Sequence, residues 1–94
     1  LSDKIVELHA IIHGTVQGVF FRAKTVEFSE PLGIFGTVSN LSDGTVEIYA
    51  HGTQKQLENL LEALQGPGGP GTIKQIVKEY KTPSKLYEDF KIIH

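Results

Sequence analysis

From Ile5 to His13 apolar and polar positions alternate. Val6, Leu8, Ala10 and Ile12 fall on one side and Glu7, His9, Ile11 and His13 on the other, the period-2 pattern of a half-buried strand. The period then changes. Phe21, Thr25, Phe28 and Leu32 recur at i, i+4, i+7 and i+11, marking one face of a helix over about Phe21–Glu30, with Pro31 and Gly33 as its stop. Ile34–Leu41 and Thr45–His51 read as the strands of a hairpin, joined at Leu41-Ser42-Asp43-Gly44, where the Asp-Gly pair favours a tight turn. In the second of these strands Val46, Ile48 and Ala50 face the core, while Thr45, Glu47, Tyr49 and His51 face away. Thr53 and Gln56 have the spacing of a capping box, and Leu57, Leu60, Leu61 and Leu64 supply a helical stripe after it.

That second helix must stop at "GPGGPG", residues 66–71, which can hold neither helix nor strand. No Lys-Ser or Lys-Thr follows this run, and it precedes a strand, so it reads as a solvated connector rather than a phosphate loop. Ile73, Ile76, Val77 and Tyr80 belong to a further extended segment, in which the slip between Ile73 and Ile76 predicts a bulge or a different start. Phe90, Ile92 and Ile93 form a short last strand after a loop around Pro83. The order strand, helix, strand, strand, helix, strand, with an extra terminal strand, is the split βαβ arrangement of an α+β sandwich. Both helices lie on one face of a mainly antiparallel sheet. The 94 residues are expected to form a single domain, 1–94.

Composition narrows the function more by exclusion than by assertion. The net charge is −2 and the basic residues are scattered singly, which argues against a nucleic-acid or membrane-surface partner. With no Cys there is no thiolate nucleophile or disulfide framework, and the four His are dispersed without a carboxylate at ligand spacing, so no metal site is expected. His9 and His13 read as plain exposed strand positions. No stretch approaches the roughly 18 apolar residues of a membrane span and no signal-type segment opens the chain, so a cytoplasmic, monomeric protein is the expectation.

The stretch "IHGTVQGVFFR", Ile12 to Arg22, holds the candidate chemistry. A strand that runs through a small-residue turn directly into a helix leaves unpaired N–H groups at the helix start, where anions bind. Gly14 and Gly18 let the backbone curl close to a ligand. Arg22, the only Arg in the chain, lies in the first helical turn with a planar fork matched to phosphate oxygens. These features converge on one oxyanion without choosing among its uses.

"IHGTVQGVFFR" resembles the first signature of the acylphosphatase family, matching each specified position of Gly-x-Val-Gln-Gly-Val-x-Phe-Arg. "GTVSNLSDGTVEIYAHG", Gly36 to Gly52, resembles the second, with Gly36, Val38, Asn40, Gly44, Val46 and Gly52 at the expected spacings. Together with "LGIFG" and the terminal "FKII" the resemblance covers nearly the whole chain, and it implies a ferredoxin-like fold, in agreement with the element order. The chain departs from the family pattern at Thr37, where an aromatic is usual, and at Ser39. Both flank Asn40, so local packing and substrate contacts are where those departures would tell.

The resemblance implies hydrolysis of the carboxyl–phosphate bond of small acyl phosphates, with no cofactor and no metal. Arg22 would bind the phosphoryl group and Asn40 would orient the attacking water. The backbone amides of Gln17, Gly18, Val19, Phe20 and Phe21 would supply the other donors, and Gln17's side chain would either touch substrate or shape the loop. Inorganic phosphate would be product and competitive inhibitor. Other readings are an acylphosphatase-like domain cut from a larger carbamoyltransferase, and a non-catalytic anion-binding regulatory module. An RNA reader on this fold would need aromatics in a basic surround, which the exposed Tyr49 lacks.

Overall fold

The computed structural model describes residues 4–94. Its elements are β1 (Ile5–Thr15), α1 (Phe21–Leu32), β2 (Phe35–Asn40), β3 (Val46–Thr53), α2 (Gln54–Gln65), β4 (Thr72–Lys81) and β5 (Phe90–Ile93). The strands form one sheet in the order β4-β1-β3-β2-β5. β1 pairs antiparallel with both β3 and β4, and β2 pairs antiparallel with β3, while the added β5 runs parallel to β2. This is the expected α+β ferredoxin-like arrangement.

Strand parity builds the core. Leu8, Ala10 and Ile12 of β1 and Val46, Ile48 and Ala50 of β3 lie opposite one another in register and are fully buried on the helix side. Leu57, Leu60, Leu61 and Leu64 of α2 and Phe21 of α1 close over them. The capping box at Thr53 is present in both directions. Thr53 Oγ1 accepts from the Gln56 N–H at 3.2 Å, and Gln56 Oε1 accepts from the Thr53 N–H at 2.8 Å.

α1 departs from expectation in two respects. It runs on through Pro31 to Leu32 before Gly33 caps it. Proline's missing N–H removes only one bond in the last turn, and the chain then stops in a Schellman pair: Gly33 N–H donates to Glu30 O and Ile34 N–H to Ser29 O, each at 3.1 Å. Its most buried positions are Phe21, Thr25 and Ser29, with Phe28 and Leu32 only flanking the core. The two buried hydroxyls are satisfied inside the helix, Thr25 donating to Phe21 O (2.8 Å) and Ser29 to Thr25 O (2.7 Å).

Strand bounds shift by a residue or two at both ends of the hairpin. Thr45 is drawn out of β3 because its N–H and hydroxyl both donate to Asp43 Oδ1, at 3.0 and 2.6 Å. The slip in β4 is a bulge. His13 pairs with Gln75 and Gly14 with Ile73, which leaves Lys74 unpaired. The connector at 66–71 is not simply solvated. Pro70 is buried, and a Cβ on Gly71, whose φ is +62°, would come within 2.2 Å of Thr15 O and 2.9 Å of Val19 Cγ2. Its last residue therefore packs against Thr15 at the end of β1 and Val19 of the loop that follows.

The larger correction concerns the sheet face away from the helices. The segment 82–89 folds back over it, so positions expected to be solvated are covered. Glu7 is 2% exposed, and its Oε1 accepts from His51 Nε2 at 2.8 Å and from Ser84 N–H and Oγ at 3.3 and 3.4 Å. Lys81 Nζ stands 3.6 Å from Oε2, and Tyr87 meets the His51 ring edge-on. His9 and Tyr49 are half-buried rather than exposed. Directly opposite each other in register, they stack at 4.4 Å, and His9 Nε2 lies 2.8 Å from Glu47.

Burial pushes Glu7's carboxyl up, but the bonds from His51 and Ser84 and the charges of His51 and Lys81 outweigh it, leaving the net position below the ordinary value. A carboxylate lowered in this way stabilises the fold above its unfolded-state pKa, and the contribution is lost as pH falls through the folded value. Urea unfolding should therefore show stability declining below about pH 4, with a shallower decline in Glu7→Gln. An unchanged slope in the variant would assign the acid loss to other groups.

Candidate active site

β1 ends at Thr15, and five residues, Val16 to Phe20, carry the chain into α1. Two of them hold left-handed backbone, Gly18 at φ 75° and Phe20 at φ 62°. For Gly18 this is unstrained, whereas for a phenylalanine it costs roughly 1–2 kcal/mol. Phe20 stands at the N-cap of α1, no side chain caps the helix, and the first turn has no acidic residue. The earliest helical bond is from Lys24 N–H to Phe20 O at 3.0 Å, so the N–H groups before it are available to a ligand.

Those donors open on a cavity of about 250 Å3 lined by Val16, Gly18, Phe20, Phe21, Arg22, Ala23, Asn40 and Ile92. Arg22 is half-buried at the second position of α1. Among the described residues no carboxylate pairs with its guanidinium. Asn40 is the last residue of β2, and parity puts it on the same side as buried Val38, facing the helix layer. Two residues distant in sequence thus share one cavity wall. A half-buried cation, helix N–H groups and a carboxamide around a space of this size can hold a phosphoryl group and a water beside it.

Gln17 is placed differently from its neighbours. Its side-chain Nε2 donates to Leu41 O at 2.7 Å and to Thr45 O at 2.8 Å, so the carboxamide is committed to the hairpin tip. Neither Gln17 nor Val19 lines the cavity, and Val19 packs against the core. The hairpin tip has its own frame. Thr45's hydroxyl and N–H hold the Asp43 carboxyl below its ordinary value. Among the described residues no three His, Asp or Glu side chains gather into a metal-holding group, and no helix is long and apolar enough to cross a membrane.

The model of the acylphosphatase family matches residues 8–92. The chain belongs to the acylphosphatase family. An acylphosphatase of Bordetella parapertussis is 36% identical over 91 residues, 96% of this chain and 97% of that one. The structure of an acylphosphatase from Coxiella burnetii superposes with a TM-score of 0.83 at 33% identity, covering 95% of this chain and 93% of the other. For the Bacillus subtilis acylphosphatase the values are 0.85, 27%, 95% and 99%. The protein is an acylphosphatase and hydrolyses acyl phosphates.

For this acylphosphatase the departures at Thr37 and Ser39 are located on the opposite side of the sheet. Both line the outer-face cavity with Glu7, Tyr49 and Tyr87, and neither lines the one shared by Arg22 and Asn40. Sequence reasoning did not single out Val16, Ala23 or Ile92 as cavity wall. The signal for Ile92 was its parity: pairing with Val38 in β5 puts its side chain on the helix face, beside Asn40's end of β2.

Phe20 is 82% exposed, so its side chain contributes little burial while its backbone bears the strain. Phe20→Gly should raise the unfolding free energy by about 0.5–1 kcal/mol, and Phe20→Val should lower it by about 1 kcal/mol, because a β-branched residue fits left-handed backbone worst. Urea titrations of the two variants check the signs. A loss of stability in Phe20→Gly would mean that the side chain, not the φ angle, holds the turn.

Proposed function

We propose that Arg22 binds the phosphoryl group of the acyl phosphate and that Asn40 orients the attacking water. The observation that carries this reading is the convergence of a guanidinium with no carboxylate partner among the described residues, an uncapped helix start and a carboxamide on one cavity wall. The water oxygen attacks phosphorus in line as the bond from phosphorus to the acyl oxygen breaks. The carboxylate leaves with the bonding pair, and the water's proton passes to a phosphoryl oxygen, since an amide is a poor base. The transition state is loose and spreads charge over the equatorial oxygens, so fixed donors in place beforehand can supply most of the rate. A carboxylate departs without help from a general acid, which is why no His or acidic side chain is required in the cavity wall.

On this reading the amides of Gly18, Phe20 and Phe21, which line the cavity, share the phosphoryl oxygens with Arg22. The side chains of Gln17 and Val19 are turned to the hairpin tip and the core, and their backbone N–H groups join only if the loop closes on the bound anion. Inorganic phosphate occupies the same seat as product and competitive inhibitor. Arg22, Asn40 and the loop amides all belong to the same copy of the chain, so the proposed reaction requires no residue from a partner.

Arg22→Lys should nearly abolish turnover of a small acyl phosphate despite keeping the charge, because an ammonium cannot reproduce a two-pronged contact. Asn40→Ala should lower kcat by about 100- to 1000-fold with the circular dichroism unchanged. Chelator should leave wild-type activity intact. More than half of wild-type turnover in Arg22→Lys, or loss of activity on chelation, would overturn the assignment.

A further inference from the structure

The loop from Val16 to Phe20 and the β2–β3 hairpin come from separate parts of the chain, and their relative placement determines how far Asn40 stands from Arg22. Backbone pairing sets it only in part: Val46 pairs with both Ile12 and Asn40, but no ladder reaches the loop itself. The β1·β3 ladder ends at the pair of Ile12 with Val46, before the loop begins, and Thr15 pairs the other way, with Thr72 of β4. Asn40 itself is exposed at the end of β2, and Ser42, Asp43 and Gly44 beyond it are exposed as well. Among the described residues, the hydrogen bonds that join loop to hairpin tip are the two from Gln17 Nε2, to Leu41 O at 2.7 Å and Thr45 O at 2.8 Å.

Those two carbonyls are the closing points of the turn. Leu41 N–H donates to Thr45 O at 2.9 Å, and Gly44 N–H donates to Leu41 O at 3.2 Å. Leu41 follows Asn40 directly, so the carbonyl that Gln17 grips is one peptide unit from the Asn40 backbone. The orientation of the carboxamide is unambiguous, since both neighbours are acceptors and only the NH2 group can face them. One amide group therefore uses both its hydrogens to hold the hairpin tip at a fixed distance from the loop.

We infer that Gln17 is a positioning residue for the reaction: its side chain sets the location of Asn40 relative to the phosphoryl seat through Leu41 and Thr45, without touching substrate. This rests on the reading that Asn40 holds the water. A residue that acts in this way has a particular kinetic signature. Removing it leaves the phosphoryl seat intact, so anion affinity is kept while the chemical step slows. Displacement of a reacting group by about 1 Å can cost roughly 100-fold.

The test is Gln17→Met, which keeps length and removes the donors. Its kcat should fall by about 10- to 100-fold, with KM and the inhibition constant of inorganic phosphate within about twofold of wild type. In an Asn40→Ala background the same substitution should change kcat less than about twofold, because its effect passes through Asn40. The side-chain amide resonances of Asn40 should shift in Gln17→Met while the Arg22 Nε resonance stays in place. A tenfold weaker phosphate inhibition would show instead that Gln17 binds the anion. Kinetic effects that multiply independently in the double variant, or an unmoved Asn40 amide, would reduce Gln17 to a structural residue. If Asn40→Ala alone keeps normal kcat, the water-orienting role is what fails. The Asn40 resonances then still decide whether Gln17 places that side chain.

Discussion

The pairing of β1 with β3 is the constraint on which the site depends. Ile12 opposite Val46 brings the end of the first strand beside the start of the third, and so brings the loop that follows one next to the turn that precedes the other. Neither α1 nor the hairpin could supply a two-residue site alone. The register is held by side chains rather than by the turns, since Leu8, Ala10, Ile12, Val46, Ile48 and Ala50 are all fully buried on one face. A slip by one residue would turn this whole set toward the other face and Asn40's neighbours with it.

The outer face shows a different economy. Glu7 and His51 lie on a face that alternation assigns to solvent, yet the return of residues 82–89 buries them together. A buried carboxylate is tolerable there because each contact is a donor: an imidazole N–H, a hydroxyl, a backbone N–H and an ammonium nearby. The same covering segment leads into β5, whose Ile92 closes one side of the cavity that Arg22 and Asn40 share. Acid sensitivity of the fold and the shape of the site thus share one stretch of chain.

Much of this was legible in the residue pattern because it depends on local period and parity. The leucine stripe of α2, the capping box at Thr53, the alternation of β1 and β3 and the slip in β4 each declare themselves over a few residues. So did Arg22, through its uniqueness and its place at a strand-to-helix turn. What could not be read locally was anything decided by a distant segment. The burial of Glu7 and His51 waits on Ser84 and Tyr87, and the packing of the glycine-rich connector waits on Thr15 and Val19. Gln17's two bonds run to carbonyls whose availability only the folded hairpin determines. Pro31 misled for a simpler reason: a proline one residue from a helix end removes a single bond, and the Gly33 and Ile34 N–H groups still close the last turn on Glu30 and Ser29.

The left-handed backbone at Phe20 has a consequence for the trade between stability and activity. A side chain caps a helix from extended backbone, so the φ of 62° at this N-cap denies the position that geometry whichever residue occupies it. The chain therefore forgoes about 1 kcal/mol of capping in addition to the strain of the turn itself. In return no resident oxygen can settle on the first-turn N–H groups and compete for the space an anion would fill. Stability gained here by relieving the φ strain leaves those donors open, whereas stability gained by capping requires the backbone itself to turn extended, so this turn can accept the first kind of improvement and not the second.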